Sequence, residues 1–177
     1  GGTAVAQLIT ILVLPVLTRI YTPEDFSLLA VYAAVLGILL TVTCLRFEIA
    51  IPLPEKSSVA VNLLVLSVIS AAAFSALIFL VVTFASEQVI QLINKPGIDE
   101  YLWIIPIGIL MGGTYNALQY WAIREKQFGV VVKTRLVQSA GGASIQVVLG
   151  WLWGGAAGLV VGYIVNVGAG AVGLAKN

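Results

Sequence analysis

The 177-residue sequence has no histidine, one cysteine and one methionine, and only 10% of its residues are charged. Each shortage closes off a class of chemistry. Cys44 has no second cysteine to pair with, so a disulfide within the chain is impossible. A metal centre of the Cys/His kind needs several such ligands and is excluded too. There are no paired carboxylates inside an apolar run, no Gly-rich phosphate loop of the Walker type and no zinc-like spacing. The sequence therefore offers no catalytic constellation, and the expectation is a protein that is not an enzyme and carries no cofactor or metal. The net charge is +1 and no basic cluster stands out, so nucleic acid is not an expected partner.

Apolar sequence is what the chain has in excess. Hydrophobic residues make up 60% of it, and its mean hydropathy is +1.05. An average soluble domain has about 25% charged residues, more than twice the share here. A bilayer crossing takes about 20 apolar residues. Runs of that order are expected at about 3–20, 26–51, 59–85, 101–123, 129–153 and 156–175, which nearly use up the chain. The fold class is accordingly all-α, a polytopic membrane helix bundle of about six transmembrane helices. The chain opens at Gly1-Gly2-Thr3, without methionine and already inside an apolar run, and it ends just after another. We read it as a fragment of a longer polytopic protein.

The boundaries are marked by local chemistry. Thr22-Pro23-Glu24-Asp25 reads as a helix start: a capping hydroxyl, a proline at the first helical position, and two acids at the positive helix end. Pro52 and Pro54 stop the second run, Lys95-Pro96-Gly97 breaks a helical extension after residue 86, and Trp153-Gly154-Gly155 makes a tight turn. Gly108-x-x-x-Gly112 permits close helix approach. So does the four-residue repeat Gly154, Gly158, Gly162, Asn166, Gly170.

Polar residues inside the runs are the candidate functional groups. Thr3, Gln7 and Thr10 share a face of the first run, ahead of Pro15. Arg46 and Glu48 lie within the end of the second run, where a charge is costly unless it has a use. On a continuous helix Arg46 lies about 9 Å before Pro52. The two-residue spacing sends the side chains to different sides, Arg46 with Thr43 and Ala50, Glu48 with Cys44 and Thr41, so they do not pair along the helix. Tyr115 or Asn116, and Gln119, continue the glycine face of the fourth run; Asn116 and Gln119 are the candidates there. Arg135, Gln138 or Ser139, Gly142 and Gln146 form a polar face on the fifth. The competing structural roles are helix packing for the amides and snorkelling to headgroups for the arginines. Against these stands the fit of a guanidinium fork to phosphate oxygens.

With an odd number of crossings between them, the loops sort into two sets. Arg46, Lys56, Arg124, Lys126, Lys133, Arg135 and Lys176 fall on one side; Arg19 and Lys95 fall on the other. The richer side is expected to be cytoplasmic, and with it the N-terminal end.

At Arg46-Phe47-Glu48-x-Ala50-Ile51-x-Leu53-Pro54 the chain resembles the polysaccharide biosynthesis flippases. These are the O-antigen and capsular oligosaccharide translocases of the multidrug/oligosaccharidyl-lipid/polysaccharide exporter superfamily. Leu17-Thr18-Arg19-x-Tyr21-x-Pro23-Glu24-Asp25-Phe26, Asn62-Leu63-Leu64, Trp121-x-x-Arg124-x-x-x-Phe128 and Arg135-x-x-Gln138 extend the resemblance over nearly the whole chain. Ser27 stands where members usually carry glycine. The resemblance implies a transporter of twelve to fourteen helices in two lobes, of which this chain is the N-terminal one and a C-terminal lobe is missing. It implies translocation of an undecaprenyl-diphosphate-linked oligosaccharide across the bacterial cytoplasmic (inner) membrane by alternating access. The expected partners are that lipid-linked oligosaccharide, membrane lipids and the missing lobe. The expected substrate-binding residues are Arg46, Asn116, Gln119, Arg135 and Gln146. Glu48 is expected to form an ion pair, for example with Arg124 or Arg135, or to serve coupling. The alternatives are a drug/cation antiporter of the same superfamily and a non-transporting scaffold in a polysaccharide assembly complex.

Overall fold

A computed structural model describes residues 2–175, with side chains described at 6–171 and 173–175. Thr3 and Lys176, both invoked above, fall outside the described side chains. Among the described residues all regular structure is helical. The helices are α1 (Gly2–Ile20), α2 (Pro23–Thr43), α3 (Phe47–Ala50), α4 (Ser57–Phe84), α5 (Ser86–Ile93), α6 (Asp99–Leu102), α7 (Ile105–Arg124), α8 (Phe128–Trp153), α9 (Ala157–Gly168) and α10 (Gly170–Ala175). Three stretches are long and apolar enough to cross a membrane: α2, α4, and the run Ala157–Ala175 formed by α9 and α10. Helices of 19, 20 and 26 residues, α1, α7 and α8, stand at three further expected positions. The last two carry the amides and arginines that lower their apolarity. The chain is thus a helical membrane bundle.

The helix ends follow the local chemistry. At the start of α2, Thr22 Oγ1 accepts from the Asp25 amide at 3.3 Å, and the Thr22 amide donates to Asp25 Oδ2 at 2.9 Å. This reciprocal pair satisfies two donors that the helix itself cannot. Asn94 caps α5 in the left-handed region, with φ 49°, just before Lys95-Pro96-Gly97. Gly154 and Gly155, at φ 66° and 67°, turn the chain between α8 and α9. A side chain would be strained at those angles.

The bundle has two packed parts that share α9. In one, α8 packs on α9 and α1; in the other, α7 packs on α4, α9 and α10. The α8–α9 seam brings backbone against backbone. A Cβ added at Gly142 would lie 2.8 Å from the Gly162 carbonyl oxygen, and one at Gly162 would lie 2.7 Å from that of Gly142. The Gly108/Gly112 face receives α2, where added Cβ atoms would meet Leu36 and Leu40 at 2.9 and 2.7 Å. Tyr32, Leu36, Ile98, Leu102, Ile109 and Val160 form the main buried cluster. Large apolar side chains such as Leu12, Ile38, Ile69, Phe84 and Trp151 are exposed on the outside. That inversion suits a hydrocarbon surround, where apolar surface has no penalty.

The second run departs from the expectation. It was read as one helix over 26–51, but α2 ends at Thr43 and the chain breaks before α3. Leu45 and Arg46 both take positive φ, 50° and 64°. Two consecutive side-chain-bearing residues in that region cost about 1–3 kcal/mol each. The break therefore needs anchors on either side. Cys44 Sγ donates to the Gly113 carbonyl at 3.5 Å, which ties the end of α2 to α7. Beyond the break, Glu48 and Ile51 are buried. The depth assigned to Arg46 along a continuous helix does not hold, since no helix continues through it.

Candidate functional site

The break forms one wall of an open cavity of about 370 Å³. Gly37, Leu40 and Thr41 line it from the end of α2, and Arg46 and Glu48 from the break and α3. Asn116, Gln119 and Tyr120 come from α7, and Arg135 comes from α8. Five of the six residues singled out from the sequence meet here. They come from three separate stretches of chain, 46–48, 116–119 and 135.

Arg46 and Glu48 face the same cavity, contrary to the expectation that they point to different sides. That expectation assumed helical geometry, and the positive φ values at Leu45 and Arg46 redirect the chain between them. The expected ion pair of Glu48 is absent among the described residues. Arg124 instead lies 3.9 Å from Glu125, and Arg135 is held elsewhere. Glu48 is 6% exposed, and its Oε2 has no hydrogen-bond partner.

Arg135 is oriented from two directions. Its Nη2 donates to Gln119 Oε1 at 2.9 Å, and its Cζ lies 5.2 Å from the centre of the Tyr115 ring. A guanidinium over an aromatic face is attracted by the ring's negative quadrupole. Tyr115 is buried beneath it, at 2% exposure. Only part of the fork is used by Gln119, so donors remain for a ligand. Arg46 is exposed and makes no ion pair among the described residues. The formal charge of the lining is two arginines against one glutamate, a net +1.

Arg124 acts from behind the wall. Its Nη1 donates to the carbonyls of Pro54 at 2.5 Å and Ile51 at 3.4 Å, and its Nη2 to that of Glu55 at 3.4 Å. This joins the end of α7 to the loop that follows α3. The two elements that carry Asn116 and Glu48 are thereby fixed to each other. The sequence reading had offered Arg124 as a partner for a carboxylate. The carbonyls of a two-proline loop, which lacks two amide donors, take that place.

Gln146 is not in this cavity. It lines a second one, of about 440 Å³, together with residues of α1, α2, α8 and α9. Its Nε2 donates to the Leu159 carbonyl at 3.2 Å, and its backbone carbonyl accepts from the Tyr21 hydroxyl at 2.5 Å. Gln146 and Arg135 share a helix face but are 11 residues apart, about 16 Å along the axis.

Two residues not expected from the sequence complete the site: Tyr120 in the lining and Tyr115 as the platform under Arg135. For Tyr120 a signal was present, because it lies four residues after Asn116 on the same helix face. Tyr115 shares the glycine face, but nothing marks it as a platform, since the arginine that lies over it comes from another helix.

The chain is an all-helical membrane bundle with an open polar cavity, lined by two arginines and one glutamate, near the ends of α2 and α7. A family model described as polysaccharide biosynthesis protein matches residues 16–175, and the chain belongs to that family. No curated protein and no solved structure matches the chain.

Proposed function

We propose that this chain is the N-terminal lobe of a transporter that moves an undecaprenyl-diphosphate-linked oligosaccharide across the bacterial cytoplasmic membrane. The observation that carries the proposal is the convergence of Arg46, Arg135, Asn116 and Gln119 on one open cavity. Family membership supplies the polysaccharide context. Two guanidinium groups suit the four or more acceptor oxygens of a diphosphate, and amides suit the sugar next to it. With the Lys/Arg-rich loops placed in the cytoplasm, this cavity opens inward, where the lipid-linked precursor arrives. The polar headgroup is carried while the lipid tail stays in the bilayer. A second lobe completes the path, and rocking of one lobe against the other provides alternating access.

The reading as a drug/cation antiporter draws on Glu48, a buried carboxylate with an unpartnered oxygen in the same cavity. The two readings separate in one experiment. Arg46→Ala, Arg135→Ala and Glu48→Gln are placed in the full-length protein at matched expression, and surface polysaccharide and export of a cationic dye are both measured. The proposal expects the arginine variants to lose surface polysaccharide and all variants to leave dye export unchanged. Normal polysaccharide in both arginine variants would sink it. Dye export that depends on Glu48 alone would favour the antiporter.

A further inference from the structure

The larger cavity, of about 440 Å³, has a different chemistry from the first. No charged residue lines it. Most of its wall is apolar, but Thr10 from α1, Ser139 and Gln146 from α8, and Tyr163 and Asn166 from α9 also face it. Thr10 donates to the Ala6 carbonyl, and Gln146 uses its Nε2 on Leu159, which leaves the Gln146 Oε1. The side chains of Ser139, Tyr163 and Asn166 have no hydrogen-bond partner among the described residues. Ser139 is 8% exposed as a residue and faces this cavity. Together these side chains present unused donors and acceptors to one space. A ligand that supplies both donors and acceptors matches them.

The two cavities share two helices as walls. Both are walled by α2 and α8: Phe26 and Leu29 with Ser139 and Gln146 in one, Leu40 and Thr41 with Arg135 in the other. Ser139 is one helical turn beyond Arg135, about 6 Å along α8. A group attached directly to an anion held at Arg135 is therefore within one helical turn of a residue that lines the larger cavity. That volume lies within the range of about 300–1,000 Å³ usual for small-ligand sites.

We infer that the cavity between α1, α8 and α9 is a separate, uncharged subsite for a neutral sugar ring, with Ser139, Tyr163, Asn166 and the side-chain Oε1 of Gln146 as its hydrogen-bonding groups. A sugar matches each part of the wall. Its hydroxyls both donate and accept, as the hydroxyl and amide groups here require. Its C–H faces suit the aliphatic wall and the Tyr163 ring. A free anion has no cation to meet there, and an alkyl chain would leave four polar groups unanswered. This inference rests on the reading of the Arg46/Arg135 cavity as a diphosphate site.

The test uses the full-length protein in nanodiscs and two kinds of probe: farnesyl diphosphate, and farnesyl diphosphate bearing a single glucose, galactose, rhamnose or N-acetylglucosamine. Wild type is expected to bind at least one sugar-bearing probe about tenfold more tightly than the sugar-free one. Asn166→Leu, which keeps the side-chain shape, and Ser139→Ala should each reduce that advantage about three- to tenfold and leave the sugar-free probe unchanged. Ser139→Ala removes a single atom and keeps the test open if Asn166→Leu fails to fold. Equal binding of all probes to wild type overturns the subsite while the diphosphate site stands. Tighter binding of the sugar-free probe to Asn166→Leu also overturns it, because it marks the cavity as a place for the lipid chain. Equal weakening of both probe classes shows a structural role and overturns it as well. If wild type binds neither probe, the diphosphate reading fails, and this inference fails with it.

Discussion

Replacement of Arg135 gives the sharpest test of the cation-bearing cavity, because three separable features hold it there. It contributes a unit charge, a fork whose Nη2 is spent on Gln119, and a stacking contact with Tyr115. Arg135→Lys keeps the charge and loses the fork and the planar stack. Arg135→Ala loses all three and takes the lining from a net +1 to neutral. At roughly 5 Å and an effective dielectric of about 20, a unit charge pair is worth about 3 kcal/mol, or about 100-fold in affinity for a singly charged group. The stacking contact is worth about 0.5–2 kcal/mol to the positioning of the guanidinium. The expected order of affinity for farnesyl diphosphate in nanodiscs is wild type, then Lys about tenfold weaker, then Ala about 100-fold weaker. Gln119→Leu removes the partner of Nη2 and leaves the charge, so it should fall near the lysine variant. Its effect should largely vanish in the Arg135→Ala background. The same titrations at low and high salt separate the contributions. Exposed Arg46 is screened within a Debye length of about 8 Å at physiological salt, whereas half-buried Arg135 is screened less. If Arg135→Ala binds within twofold of wild type, the cavity does not recognise anions through this residue. If the lysine and alanine variants bind alike, the charge is irrelevant and the argument fails at its first step.

Three further outcomes concern the frame that holds the cavity. Arg124→Ala removes the donors to Ile51, Pro54 and Glu55, so proteolysis within residues 51–56 should accelerate and ligand affinity should fall without loss of any lining residue; unchanged cleavage would show that the loop is held by other means. Leu45→Gly relieves a left-handed side-chain-bearing residue at φ 50° and should stabilise the fold by about 1 kcal/mol, read as a raised unfolding temperature in detergent. Gly162→Val forces a side chain against the Gly142 carbonyl and should destabilise by about 1–3 kcal/mol or more, seen in the same melt; a neutral result would refute the backbone contact of α8 with α9.

The helices were legible because their signals are local. An apolar run of 20 residues, a capping box at Thr22-Asp25, a pair of prolines at 52 and 54 and a Gly-Gly turn at 154–155 each declare an element or its end within a few residues. The glycine faces were legible for a related reason: a four-residue repeat puts small residues on one side, and only close packing explains it. The break at Leu45-Arg46 was not legible. Neither residue is a breaker, and both adopt a conformation they disfavour in isolation. The causes lie far away in sequence, in the Gly113 carbonyl that receives Cys44 and the Arg124 guanidinium that holds the loop beyond Ile51. Tertiary contacts of that kind override local preference without leaving a local mark.

The same break explains why the site was half legible. Arg46, Glu48, Asn116, Gln119 and Arg135 stood out because a polar residue in an apolar run invites a reason, and that argument needs no geometry. Their convergence needed geometry. An α2 continued as a helix to residue 51 would have turned Arg46 and Glu48 apart, about 200° from one another, with at most one of them toward α7. Two left-handed residues bring both to one cavity and leave them unpaired with each other. That separation has a chemical consequence. Had Glu48 paired with Arg46, the guanidinium would be neutralised and its fork filled. Unpaired, Arg46 keeps its charge and all its donors, and Glu48 keeps an unsatisfied oxygen on the same wall. The left-handed backbone at Leu45 and Arg46 therefore accompanies a cavity that presents an unpaired guanidinium and an unsatisfied carboxylate oxygen together. A ligand that brings an anionic group together with a hydrogen-bond donor, as a sugar diphosphate does, satisfies both at once.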